Sequence, residues 1–150
     1  MSRELQPGAV VEVSTPRGAA YVQVTHVHRE FGPLVRVLPG LHEERPRDFD
    51  ALAAGDARFI AFCPVDAGVS QGTMQVVANA EIPPSDQAFP LFKAAGGRDP
   101  VTGEVWNWWL WDGDNEWEAD GSDDLDNLPT REVINQALLV ERILSAETGA

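Results

Sequence analysis

Five tryptophans, Trp106, Trp108, Trp109, Trp111 and Trp117, are all that the chain contains, and they fall within twelve residues. Asp112, Asp114, Glu116 and Glu118 interleave with them, and Asp120, Asp123, Asp124 and Asp126 follow closely. Large aromatic rings beside carboxylates suit the anchoring of a protein partner, since interface hot spots are enriched in tryptophan. Packing inside a core is the commoner fate of such rings. If the segment is a strand, alternation puts Trp106 and Trp108 on one face and Trp109 and Trp111 on the other, so a single core cannot easily absorb both pairs.

Other residues offer weaker chemistry. Asp112, Asp114 and Glu116 alternate like the first ligands of a calcium-binding helix–loop–helix. The sixth position of that loop requires glycine, however, and here it is Trp117. His26 and His28 stand two apart with His42 further on, a spacing that zinc tolerates but that a polar strand end explains equally well. Cys63 precedes a proline in an apolar run, where a free cysteine ordinarily behaves as a small buried hydrophobe. The serines lie in no nucleophile-elbow pattern, and Gly96 and Gly97 lack the spacing of a phosphate cradle. An unbroken acidic run is no sign of a tuned acid and base pair. The expectation is therefore a protein that is not an enzyme and uses no cofactor or metal.

The elements that must position these residues read as mainly β. Val10–Val13 and Ala19–Val27 are β-branched runs separated by a Pro- and Gly-bearing turn, a hairpin signal. Gly32 and Pro33 break the chain before a third strand, Leu34–Leu38, and Asp48 is placed to cap a short helix over Phe49–Ala54. Arg58–Cys63 and Thr73–Val77 are further strands, with Pro64–Gly72 read as a loop between them. Gly96–Gly103 reads as a turn-rich link into the tryptophan strand, Glu104–Trp111. That strand turns through Asp112–Asn115 with the Asp-Gly pair typical of hairpins. From Pro129 the apolar period becomes helical, but the stripe is too wide for one surface helix, so either the helix is buried nearly all round or, the favoured reading, it breaks near Asn135 and Gln136 into two short pieces. The expected architecture is one α+β domain spanning residues 1–150, with a strongly bent antiparallel sheet or small, partly open barrel and short C-terminal helices.

Size and charge narrow the choice of function. A chain of 150 residues with 43% hydrophobic side chains can bury roughly 70% of its unfolded surface in one core without staples. One cysteine permits no internal disulfide, which suits a reducing compartment, and no apolar run approaches membrane-spanning length. A cytoplasmic protein is the expectation. Net charge is −13, and residues 99–126 hold ten carboxylates and no lysine or arginine. Such a surface repels nucleic acid and anionic lipid and favours a basic protein partner.

Three segments, LQPGAVVEV, WNWWLWDGDNEW and LPTREVINQALLVERI, resemble the Immunity protein 26 family of bacterial polymorphic-toxin systems. The similarity lies in an early Pro-Gly before a valine strand, a Trp-rich strand ending in Trp-Asp-Gly, and a closing Pro, Arg, Asn, Leu pattern before Glu-Arg-Ile. The three segments total 37 of the 150 residues, toward the two ends, and include no catalytic residue. What the resemblance implies is a mainly β protein that neutralises a toxin by binding it. Trp109, Trp111 and Trp117 then join the carboxylates from Asp112 to Asp126 as candidate contact residues. The alternatives are a metal-dependent or small-ligand enzyme with a Trp-walled pocket, and a stand-alone domain of another role.

Because no full ligand set has the required spacing, folding is expected to need no stoichiometric calcium or zinc. Thermal unfolding with and without chelator should give one midpoint. A large drop on chelation would instead assign Asp112, Asp114 and Glu116, or His26 and His28, as ligands.

Overall fold

The computed structural model describes residues 5–121 and 123–147, and the chain divides into two compact units. The first unit comprises residues 1–87 and 133–150, the second residues 88–132.

The first unit is built on an open antiparallel sheet of five strands: β1 (Ala9–Thr15), β2 (Gly18–His28), β3 (Gly32–Val37), β4 (Ile60–Phe62) and β5 (Met74–Asn79). The strand order is β4-β3-β2-β1-β5, so the sheet keeps two edges and does not close into a barrel. Three helices, α1 (Phe49–Ala53), α2 (Val65–Gln71) and α3 (Gln136–Glu147), accompany it. Asp48 caps α1, its Oδ1 accepting from Ala51 N at 3.0 Å.

Both faces of this sheet are covered, which is why β2 is buried continuously from Ala20 to Thr25 rather than at every second residue. One face, with Val11, Val13, Val22, Val24, Val35 and Val37, packs against Leu139 and Ile143 of α3 and against Val65 and Met74. The opposite face sets Val10, Tyr21 and Leu38 against Phe49, Leu52, Val77 and Ala80. That second face also buries Gln23 and Arg36 completely. Arg36 Nε donates to Gln23 Oε1 at 2.9 Å and Nη1 to Gly55 O at 3.2 Å, while Nη2 donates to Ala53 O. Asp86 pairs with the guanidinium at 3.4 Å, and Gln23 Nε2 donates to Ala80 O at 2.8 Å. The buried polar atoms are thereby satisfied, as their desolvation requires.

Several segments differ from the sequence reading. Pro33 lies inside β3, paired with Val27, where its missing N–H leaves the sheet intact and its carbonyl accepts from Cys63 N. Pro64–Gly72 is mostly the helix α2. Gly68 concealed it: a Cβ there would come within 2.7 Å of Met74 Sδ, so a poor helix former is required by packing. Near the C-terminus, Asn135 and Gln136 do mark a boundary, but the residues before it are extended rather than helical. Val133 bridges Phe62 in parallel and Ile134 N donates to Phe62 O at 2.9 Å. The single helix α3 starts at Gln136, with Asn135 Oδ1 accepting from Leu138 N at 2.8 Å. Within α3 apolar residues still lie on all sides of the helix, but only Leu139 and Ile143 are fully buried.

The second unit is a three-stranded antiparallel sheet in the order β6 (Phe92–Arg98), β7 (Val105–Trp111) and β8 (Glu116–Glu118). Here β6 occupies much of what reads as a link, running through Gly96 and Gly97.

Arg36→Met keeps volume but strands Gln23 Oε1 and the carbonyls of Ala53 and Gly55. It is expected to cost about 3–5 kcal/mol in urea unfolding. A loss below about 1 kcal/mol, the scale of one ordinary hydrogen bond, would show that this network contributes little.

Candidate functional site

The candidate site is built on β7, whose register fixes where each tryptophan points. Trp111 pairs with Phe92 and Glu116, and Trp109 with Ala94 and Glu118. Trp108 pairs with Ala95, and Leu110 with Lys93 and Trp117. Partners across an antiparallel pair share a face, so Trp108 and Trp117 stand opposite Trp109 and Trp111; Trp106 falls where the β6–β7 register shifts between Gly97–Asn107 and Arg98–Val105.

The two glycines of β6 exist for these rings. A Cβ on Gly97 would lie 2.8 Å from Trp106 Cε3, and one on Gly96 would lie 2.5 Å from Trp109 Nε1. Indoles laid across strand glycines replace the side-chain packing that glycine lacks. This interlock was invisible in the sequence because glycine pairs signal turns.

Trp111 is the anchor of the unit and is only 6% exposed. Phe89 meets it edge-on at 5.4 Å and Phe92 tilts against it at 5.5 Å between centroids. The Arg131 guanidinium lies 5.2 Å above its ring and pairs with Glu116 at 2.5 Å. Phe89 in turn rests on Gly113, where a Cβ would clash at 2.9 Å and φ is +100°. Glycine in the β7–β8 hairpin is thus required twice, by backbone and by packing. On the other face Lys93 Nζ stands 5.0 Å over Trp108 and donates to Leu125 O at 3.0 Å. Arg98 Nη1 donates to Gly103 O at 3.2 Å across the β6–β7 turn.

Of the candidate contact residues, Trp111 is therefore a packing residue, enclosed by its aromatic neighbours, and Trp109 is half-buried. Trp117 is 41% exposed, and Trp106, which the sequence reading placed outside the contact set, is the most exposed tryptophan at 67%. The carboxylates from Asp112 to Asp126 are all exposed, and four of them also have a structural role. Asp112 Oδ1 accepts from Asn115 N at 2.8 Å and Asp114 N at 3.0 Å, and these two N–H groups hold its carboxyl below the usual range. Asp123 accepts from Asp120 N at 2.9 Å, Asp124 from Asn127 Nδ2 at 2.6 Å, and Glu116 holds Arg131.

The histidines have separate local partners: His26 meets Thr25 Oγ1 and Gln87 O, His28 Nδ1 accepts from Glu30 N and Phe31 N, and His42 meets Pro39 O. Among the described residues, no three His, Cys, Asp or Glu side chains gather as metal ligands would. Burial, helped by the charge of Asp66, pushes the Cys63 thiol up to about 11. Burial thus favours the protonated thiol at neutral pH. No helix among the described residues is long and apolar enough to cross a membrane. In comparisons with known proteins, no protein family, no curated protein and no solved structure matches the chain.

Trp111→Ala should destabilise the protein by about 3–5 kcal/mol. Trp106→Ala should cost less than about 1 kcal/mol, as expected of a largely exposed side chain. Denaturant unfolding of the two variants tests the assignment, and equal losses would contradict it.

Proposed function

We propose that this chain is a non-catalytic binding protein of the immunity type, which neutralises a basic toxin domain by docking it on the acidic, tryptophan-bearing surface of the second unit. The observation that carries the reading is a mismatch of charge. Residues 88–132 contain eleven carboxylates and three basic side chains, a net charge of −8. All three cations are engaged within the unit, Lys93 at Leu125 O, Arg98 at Gly103 O and Arg131 at Glu116. The unit therefore presents an excess of negative charge beside the exposed rings of Trp106 and Trp117.

A field of that sign draws in a positive partner and rejects polyanions. Exposed indoles then supply the desolvated anchors that charge alone does not. The toxin class of the partner comes from the sequence resemblance to the Immunity protein 26 family; the chemistry of docking comes from the second unit.

The test is to capture a partner from native cell extract and measure both rate constants across a salt series. Association should slow as the Debye length contracts below about 8 Å, with dissociation changing less. Replacing Glu118 by Gln and Asp120 and Asp126 by Asn together should slow association without unfolding the chain, since exposed carboxylates contribute little stability. An acidic partner, or association indifferent to both salt and the triple substitution, would sink the reading.

A further inference from the structure

We propose that Trp106 is a platform for an arginine side chain of the basic partner. The inference rests on the reading above that the partner is basic, and adds where and how it is gripped. The chain supplies its own template. Arg131 lies over Trp111 with its Cζ 5.2 Å from the ring while its Nη1 holds Glu116 at 2.5 Å, so one guanidinium stacks and pairs at once. Lys93 covers Trp108 in the same manner at 5.0 Å. Two of the indoles on β7 thus carry a cation from within the unit. Among the described residues none lies over Trp106, although it is the most exposed of the five.

The ring of Trp106 lies over Gly97, where a Cβ would come within 2.8 Å of its Cε3, and the indole remains open to solvent. Glu104, an exposed carboxylate, lies two residues before it. Arginine fits better than lysine, because a planar guanidinium can lie on an indole and still donate edgewise to a carboxylate.

The probe is a nona-arginine peptide titrated into the full chain, followed by the indole N–H resonance of Trp106 and by a dissociation constant, with nona-lysine as comparison. The Trp106 resonance should shift on binding nona-arginine. Trp106→Ala should weaken that binding by about three- to fivefold, the scale of an exposed cation–π contact, and should weaken nona-lysine binding less. Trp106→Phe should retain part of the affinity, and the unfolding midpoint of each variant shows that it is folded.

Three outcomes separate this inference from the reading beneath it. If Trp106→Ala binds nona-arginine as tightly as the parent while the triple carboxamide variant binds weakly, the platform is wrong and the acidic docking surface stands. If the triple variant binds as the parent does and Trp106→Ala is weakened, the platform stands and acidic steering fails. No binding of nona-arginine to the parent chain overturns both.

Discussion

A strand that carries tryptophan at four of its seven positions cannot hide them in one core, because neighbouring side chains leave a strand on opposite faces. Much else in the second unit answers that constraint on β7. Gly96 and Gly97 clear space on β6 for the indoles of Trp109 and Trp106. Phe89 and Phe92 enclose Trp111, which the β7–β8 hairpin permits only with Gly113 at its turn. The cations Lys93 and Arg131 are committed to the faces of Trp108 and Trp111. Trp106 and Trp117 are left at the surface.

The first unit meets the alternation of strands differently, by covering both faces of its sheet. The consequence is a second face that must accommodate Gln23 and Arg36 without water. A buried guanidinium is tolerable only when its donors are placed, and here they bind Gln23, the α1 region at Ala53 and Gly55, and Asp86. That network ties β2 and β3 to α1 with its following turn and to the 3-10 turn at Pro84–Asp86. For α1 it acts beside the apolar packing of Phe49 and Leu52 on the same face of the sheet.

The eight carboxylates from Asp112 to Asp126 are all exposed, and four of them also have a structural role. Asp112, Asp123 and Asp124 accept hydrogen bonds that shape turns, and Glu116 pairs with Arg131. Because none of the eight is buried, the whole run contributes to the long-range field on which the proposed docking depends.

Much of the fold was legible in the sequence wherever the determinants are local. The Thr15–Gly18 turn, the β-branched runs of β1 and β2, the cap at Asp48 and the Asp-Gly hairpin after Trp111 each depend on residues within a few positions of one another, and the alternation of the tryptophans follows from strand geometry alone. The tertiary structure decided what depends on residues distant in sequence. Gly68 in α2 answers to Met74, and Gly96 and Gly97 to rings on the neighbouring strand, so glycines that read as breakers lie inside regular elements. Val133 and Ile134 share the helical period of α3, yet pairing with Phe62 holds them extended. Most consequentially for function, nothing local distinguishes Trp106 from Trp111. One is exposed and the other enclosed because Phe89, Phe92 and Arg131 converge on Trp111, and such convergence arises only when the chain is folded.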